Sequence, residues 1–109
     1  MCIRDSFQGA KSTAKISVGG QWLELNGLVS NSDAGLLRDL SDFLRTKGEI
    51  SCEPLGGHYQ CWINFAGKRR DLALQIVRNG IARARGDAPL DYRKAEALAR
   101  KEKLGGWGP

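Results

Sequence analysis

The sequence has no long hydrophobic run, and among its 109 residues there are only one histidine and three cysteines. No apolar stretch approaches the roughly 20 residues that a membrane-spanning helix needs. With 41% hydrophobic and 27% charged residues, the composition is that of an ordinary globular chain rather than a disordered one. We therefore expect one domain with a single modest core, and no repeat, low-complexity tract or linker.

The single histidine, His58, limits the enzyme chemistry that the sequence supports. It stands in a glycine turn, where we expect it to be exposed, and no Ser-His-Asp, Cys-His or paired-carboxylate arrangement accompanies it. A zinc site is not expected either, because His58 is the only further ligand near the cysteine pair and zinc sites use four ligands. The residues themselves predict no cofactor and no metal.

Two of the three cysteines, Cys52 and Cys61, flank a predicted hairpin turn at residues 55–58 (LGGH). Cysteines on facing hairpin strands can meet disulfide geometry, so we predict a Cys52–Cys61 disulfide. Such a bond indicates a periplasmic or secreted bacterial protein. Two reduced, buried thiols in a cytoplasmic protein are the alternative.

The N-terminus, residues 1–6 (MCIRDS), is similar to a translated sequencing adapter and lacks the apolar region of a signal peptide. We interpret these six residues as foreign to the protein. On this interpretation residues 7–109 form the domain, the chain is an N-terminally truncated fragment, and any native secretion signal is missing.

The net charge of +5 is unevenly distributed. Residues 1–67 carry six Lys and Arg against seven Asp and Glu, whereas residues 68–109 carry eleven against five. Such an asymmetry can mark a phosphate-binding face. A solvated helical surface with interspersed charges is the alternative.

Alternating apolar residues predict the strands. The alternation is weak over residues 7–20, which we interpret as an edge strand, and clearer over residues 21–29 (QWLELNGLV). Residues 49–54 and 59–65 are predicted to pair around a turn at Gly56-Gly57. Residues 66–68 are predicted to form a turn, and residues 81–85 a short last strand.

Three helices are predicted from spacing and capping residues. The first follows the capping segment at residues 30–33 and ends before Gly48. The second is short, capped by Asp71 and stopped at Asn79-Gly80, and the third covers residues 90–103. The sequence thus predicts an α+β fold in which a small antiparallel barrel buries the strands.

An ordered set of motifs in the second half resembles the staphylococcal-nuclease-like (thermonuclease) family. The motifs are Asp71-Leu72, Arg78-Asn79-Gly80-Ile81-Ala82, Tyr92, Ala95-Glu96-Ala97-Leu98-Ala99-Arg100 and Gly106-Trp107. Leu25-Asn26-Gly27-Leu28 and Gly57-His58-Tyr59 resemble two further segments of the family. The resemblance covers nearly the whole chain. It implies an OB-fold of the staphylococcal-nuclease type, which is a small antiparallel β-barrel with about three helices.

Active members of this family hydrolyse nucleic-acid phosphodiesters with calcium. Carboxylates hold the metal, a glutamate assists the attacking water, and two arginines stabilise charge on phosphorus. In this sequence the corresponding positions fall on residues 12–15 (STAK), Glu24, Val29, Ser32 and Cys61. Because none of these positions keeps its functional residue, we assign no catalytic residue and expect no calcium-dependent nuclease activity.

A degenerate barrel of this kind can still bind single-stranded nucleic acid through a basic groove with aromatic platforms. Tyr59 and Trp62 are stacking candidates, although we interpret Trp22, Trp62 and Trp107 as packing residues first. Residues 68–70 (KRR) are more often a solvated turn than a binding site. The candidate nucleic-acid-binding residues are Tyr59, Lys68, Arg69, Arg70, Arg83 and Arg85.

Three functions therefore remain open from the sequence. The first is a catalytically degenerate binding or structural module whose partner is single-stranded nucleic acid or an acidic protein surface. The second is an active calcium-dependent nuclease, and the third is a secreted protein-interaction domain without nucleic-acid contact. The sequence does not give the oligomeric state.

Overall fold

The computed structural model describes residues 3–108 and is an α+β fold with one six-stranded antiparallel sheet and three α-helices. The order across the sheet is β3-β2-β1-β4-β5-β6. The strands are β1 (Ile3–Ser12), β2 (Lys15–Val18), β3 (Gln21–Glu24), β4 (Glu49–Leu55), β5 (His58–Phe65) and β6 (Lys68–Asp71). The helices are α1 (Ala34–Arg45), α2 (Leu72–Arg78) and α3 (Leu90–Lys101), followed by a 3₁₀ turn at Gly105–Trp107.

The predicted hairpin around Gly56-Gly57 is present as β4 and β5. Leu55 pairs with His58 across the turn, and both glycines have positive φ angles, +52° and +85°, which side chains disfavour. Cys52 pairs directly with Cys61 and forms the predicted disulfide. Both cysteines are buried, so the bond lies in the core and ties β4 to β5.

The prediction of an edge strand over residues 7–20 is wrong. Two strands, β1 and β2, cover this region and pair with each other, and β1 also pairs with β4 in the middle of the sheet. Of the residues interpreted as an adapter, Met1 and Cys2 lie outside the described residues. Residues 3–6 lie in β1 and pair with residues 49–52 of β4.

The two halves of the sheet approach each other where β3 ends. Leu25, the residue after β3, forms a parallel bridge to Tyr59 at the start of β5, and the Asn26 amide donates to the Tyr59 carbonyl at 3.0 Å. Tyr59 is half-buried and packs against the core. This contact brings together the ends of two strands that the strand order places apart.

The helices form where the capping residues predict them. Asp33 caps α1 by accepting from the Leu36 amide, and Asp71 caps α2 by accepting from the Leu74 amide. Leu40 and Leu44 of α1 are buried, whereas α3 buries Tyr92, Ala95 and Ala99. α3 ends at Lys101, two residues before the predicted end.

Two predicted elements differ from the structure. Residues 68–70 form most of strand β6 rather than a turn, which occupies residues 66 and 67. Residues 81–85 make one antiparallel bridge, from Ala84 to Leu28, rather than a strand. Hydrogen bonds from the Val29 amide to the Arg83 carbonyl and from the Arg85 amide to the Gly27 carbonyl, each 2.8 Å long, flank that bridge.

Gly27 is required at its position for two reasons. Its φ of +81° lies in the left-handed region, and a Cβ there would lie 2.9 Å from the Cε2 atom of Tyr92. Tyr92 is only 2% exposed, and its hydroxyl donates to the Asp71 carboxylate. The close packing of Tyr92 on Gly27 therefore holds α3 against the segment that follows β3.

Candidate nucleic-acid interface

The structure does not bring the six predicted binding residues onto one surface. Tyr59, Lys68, Arg69 and Arg70 lie on β5 and β6, whereas Arg83 and Arg85 lie in the connection between α2 and α3. Two of the six lie against a tryptophan and line a cavity beside it, Arg69 at Trp62 and Arg83 at Trp107, whereas Tyr59 and Arg70 belong to the opposite, core-facing side of β5 and β6. We call the first the Trp62 cleft (Arg4, Ser51, Trp62, Asn64, Arg69) and the second the Trp107 groove (Val29, Asn31, Leu36, Arg83, Trp107).

In the Trp107 groove, two guanidinium groups lie against one indole ring. The Arg83 guanidinium is 4.3 Å from the centre of the Trp107 ring, and the Arg100 guanidinium is 4.9 Å from it. The adjoining cavity has a volume of about 110 Å³. Arg100 contacts the Trp107 ring without lining this cavity, and it is not among the residues that the sequence predicts to bind.

Backbone hydrogen bonds fix both walls of the Trp107 groove. On one wall, the Val29 amide donates to the Arg83 carbonyl at 2.8 Å. On the other, the Gly106 amide donates to the Gly80 carbonyl at 2.9 Å, which holds Trp107 beside the end of α2. Ile81 and Ala82, between these contacts, are buried, so Arg83 is held at a fixed point on the surface.

The two arginines that contact Trp107, Arg83 and Arg100, differ from neighbouring arginines in their ion pairing. Arg78 pairs with Glu102 at 2.7 Å and Arg85 pairs with Asp87 at 3.2 Å. By contrast, no carboxylate of residues 3–108 lies within ion-pair distance of Arg83 or Arg100. Because stacking uses the face of a guanidinium, its N–H donors stay directed outward in the ring plane and can bind an oxyanion.

A second depression, of about 530 Å³, continues the groove along the start of α1. It shares Asn31, Leu36 and Gly106 with the Trp107 groove. Its other charged lining residues are Asp33, Arg38 and Asp39, so its charge is mixed. The positive charge is therefore concentrated at the Arg83 and Arg100 end.

In the Trp62 cleft, the Arg69 guanidinium lies 4.4 Å from the centre of the Trp62 ring. Two adjoining cavities of about 180 and 190 Å³ are lined by Arg4, Ser51, Trp62 and Arg69. Arg4 is ion-paired with Glu49 at 3.3 Å, and the buried Trp62 Nε1 has no hydrogen-bond partner. Lys68 is exposed and Arg70 is half-buried.

The positions that the sequence resemblance aligns with catalytic residues of the nuclease family make other contacts here. Ala14 is buried, and Cys61 is held in the disulfide. Glu24 Oε2 lies 3.8 Å from Nε2 of His58, a residue that is half-buried rather than exposed as predicted. The Ser32 hydroxyl donates to the Lys11 carbonyl at 3.4 Å, and Val29 lines the Trp107 groove.

Among residues 3–108, no group of three or more His, Cys, Asp or Glu side chains is arranged to hold a metal ion. The one strongly shifted titratable group in this part of the chain is Tyr92. Burial, followed by its hydrogen bond to Asp71, raises the pKa of Tyr92 well above its ordinary value of 10.0. Tyr92 is a packing residue under α3 rather than a group that opens to either surface.

The interpretation of the three tryptophans as packing residues holds only in part. Trp62 and Trp107 are half-buried beneath arginines, whereas Trp22 on β3 is 44% exposed. The exposure of Trp22 could have been predicted from the alternation in β3. Leu23 and Leu25 are buried, so Trp22 must point to the opposite face of the sheet. The contacts of Arg83 and Arg100 with Trp107 could not have been predicted in this way, because no local sequence pattern indicates them.

None of the helices in residues 3–108 has the length and apolar character needed to cross a membrane. Comparison of the sequence with protein-family models and with curated proteins found no match.

Proposed function

We propose that the chain is a binding module for the phosphate backbone of single-stranded nucleic acid. We further propose that it is built on a staphylococcal-nuclease-like OB barrel that has lost calcium-dependent catalysis. The observation that carries the proposal is the Trp107 groove, where Arg83 and Arg100 both lie against Trp107 and have no carboxylate partner within residues 3–108.

Strand connectivity supports the barrel. β1 pairs with β2 and β4, β2 pairs with β3, and β4 pairs with β5. The isolated bridge from Leu25 to Tyr59 brings the end of β3 beside the start of β5, as the ring of five strands in the proposed barrel requires. A partly open five-stranded barrel is the OB arrangement, in which nucleic-acid binding is common.

The chemistry of the groove favours phosphate. A guanidinium that stacks on an indole is oriented before a ligand arrives, so less side-chain entropy is lost on binding. Two such groups beside one ring present hydrogen-bond donors to neighbouring oxygens of a phosphodiester chain. The excess of positive charge in residues 68–109 attracts a polyanion to the same half of the protein.

The loss of catalysis follows from the residues at the catalytic positions. The resemblance to active nucleases calls for metal carboxylates, a glutamate and two arginines, and the chain has Ala14, Glu24, Val29, Ser32 and Cys61 in their region. Removing a single stabilising donor from an active site costs about two to three orders of magnitude in rate. The disulfide at Cys61 also supports a protein that folds in an oxidising compartment, periplasmic or extracellular.

The test is fluorescence anisotropy with a labelled oligothymidylate of about 12 nucleotides, at several salt concentrations. We expect log K to fall linearly with log salt concentration, with a slope of about −0.7 for each phosphate contacted. Replacing both groove arginines, Arg83→Gln with Arg100→Gln, should reduce the magnitude of the slope by about 1.4. Unlabelled polyglutamate serves as a competitor that carries charge without phosphate.

The matched control is Arg45→Gln with Arg93→Gln, which removes the same charge from exposed positions on α1 and α3. The control should change the slope by much less than the groove variant does. Equal slopes in the two double variants, or no salt-sensitive binding by the unaltered protein, would contradict the proposal. Displacement by polyglutamate as effective as by unlabelled oligonucleotide would instead identify an acidic protein surface as the ligand.

A further inference from the structure

We propose that Trp22, together with Lys11, forms a stacking site for one unpaired base on the open face of β1, β2 and β3. This inference deepens the proposed function and rests on it, because it adds a base contact to the phosphate contacts of the Trp107 groove. It also accounts for a large aromatic side chain that remains 44% exposed.

The Trp22 ring lies across the sheet instead of standing up from it. Trp22 pairs with Ser17 on β2, and Ser17 pairs with Gly9 on β1, so the three residues form one row on one face. A Cβ built on Gly9 would lie 3.9 Å from the far edge of the Trp22 ring. The indole thus extends across the sheet over Ser17 towards Gly9, and its exposed ring is the platform of the proposed site.

A cation accompanies this platform. The Lys11 ammonium lies 4.5 Å from the centre of the Trp22 ring, and Lys11 is exposed. A cation–π contact at an exposed site contributes only about 0.5–1 kcal/mol, so the ammonium can leave the ring for a phosphate when a base stacks there. Glu24 shares this face of β3, but it lies beside His58 and opposite Lys15.

The platform is connected to the Trp107 groove through residues 29–33. The Lys11 carbonyl accepts from the Ser32 hydroxyl, and the Thr13 amide donates to the Asn31 carbonyl at 2.8 Å. Asn31 itself lines the Trp107 groove. A strand whose phosphates contact Arg83 and Arg100 can therefore pass over residues 29–33 and place a base on Trp22.

This geometry selects single strands over duplexes. The face of a base is accessible to an indole only when the base is unstacked from its neighbours, which a duplex does not allow at internal positions. Stacking of a base on an aromatic side chain contributes about 1–3 kcal/mol and tolerates any base identity. We therefore expect little sequence preference.

The experiment compares the oligothymidylate with an abasic sugar–phosphate oligomer of the same length. The abasic chain keeps the phosphates and removes the stacking partner, so the unaltered protein should bind it roughly tenfold to a hundredfold more weakly. Trp22→Leu should weaken thymidylate binding by a similar factor and leave abasic binding unchanged. Trp22→Phe keeps a ring and should retain most of the affinity, which separates loss of stacking from loss of folding.

Leu98→Ala is the matched control, because Leu98 on α3 is 47% exposed and does not line the platform or the groove. It should bind both oligomers as the unaltered protein does. If the two oligomers bind equally and Trp22→Leu has no effect while salt dependence persists, the stacking site is refuted and the phosphate-binding function stands. If binding depends on the bases and on Trp22 but not on Arg83 and Arg100, the phosphate-binding function of the groove is refuted and the stacking site stands. If neither oligomer binds, both proposals are refuted.

Discussion

The backbones of Gly80 and Gly105 are in direct contact, and this contact joins the end of α2 to the turn that carries Trp107. A Cβ on Gly80 would lie 2.2 Å from the Leu104 carbonyl oxygen, and a Cβ on Gly105 would lie 2.5 Å from the Gly80 carbonyl oxygen. Both glycines have positive φ, +74° and +52°. Gly80 and the residue immediately before the Gly106-Trp107 motif are thus in contact at a single point.

This contact predicts that Gly105→Ala is strongly destabilising. An alanine there combines left-handed backbone strain with a clash against backbone, so we expect the free energy of unfolding to fall by at least about 2 kcal/mol in urea denaturation. Gly86→Ala is the matched control, because a Cβ at Gly86 would meet nothing within 4 Å and the φ of Gly86 is not positive. A change of less than about 0.5 kcal/mol at both positions would show that the backbones are not in contact.

The raised pKa of Tyr92 predicts a loss of stability at alkaline pH. Burial and the bond to Asp71 keep the folded-state tyrosine neutral, whereas the unfolded tyrosine ionises near its ordinary pKa of 10.0. The contribution is therefore fully present below pH 10, and it is lost as the pH rises above that value. The expected slope from this one group is at most about 1.4 kcal/mol per pH unit.

The measurement for Tyr92 is the free energy of unfolding of the protein and of Tyr92→Phe between pH 8 and about pH 11. The variant keeps the ring on Gly27 and loses the hydroxyl, so it should be less stable by about 1–3 kcal/mol near pH 8. The difference between the two proteins should shrink above pH 10. A constant difference over the whole range would contradict the assignment of the shift to Tyr92.

The Cys52–Cys61 disulfide closes a short loop, with the two residues nine apart in sequence. The chain-entropy relation gives a stabilisation of about 2–3 kcal/mol for a loop of this size. We expect reductant to lower the free energy of unfolding by that amount and to have no effect on Cys52→Ala with Cys61→Ala. Peptide mass analysis without reduction should recover a Cys52–Cys61 linked fragment, and its absence from protein made under oxidising conditions would contradict the bond.

Elements with local signals could be predicted from the sequence. The caps at Asp33 and Asp71 and the Gly56-Gly57 hairpin depend on neighbouring residues, and the structure has all three. The central position of β1 could not be predicted, because it depends on pairing with β4 far along the chain and all its residues except the buried Ser12 are exposed or half-buried.

The candidate site shows the same division. The positive charge of residues 68–109 is visible in composition, but its separation into a Trp62 cleft and a Trp107 groove depends on which arginine meets which ring. Arg85 and Arg83 show why the sequence could not identify the binding arginines. Arg85 is paired with Asp87, which reduces its availability for phosphate, whereas Arg83, two residues earlier, has no such partner in residues 3–108. Sequence position alone cannot separate these two arginines.

Calcium is expected neither to stabilise the protein nor to induce cleavage of nucleic acid. A ligand present at about 100 times its dissociation constant for the folded state raises stability by about 2.7 kcal/mol, which for a chain of this size corresponds to a melting-temperature increase of about 12 degrees. Because residues 3–108 offer no cluster of carboxylates for calcium, we expect no such increase in millimolar calcium relative to chelator. Magnesium at the same concentration controls for ionic strength, and single-stranded DNA and RNA incubated with each sample should stay intact. A rise of several degrees specific to calcium, or cleavage that chelator abolishes, would mean that the catalytic segment lies elsewhere than at Glu24, Val29 and Ser32.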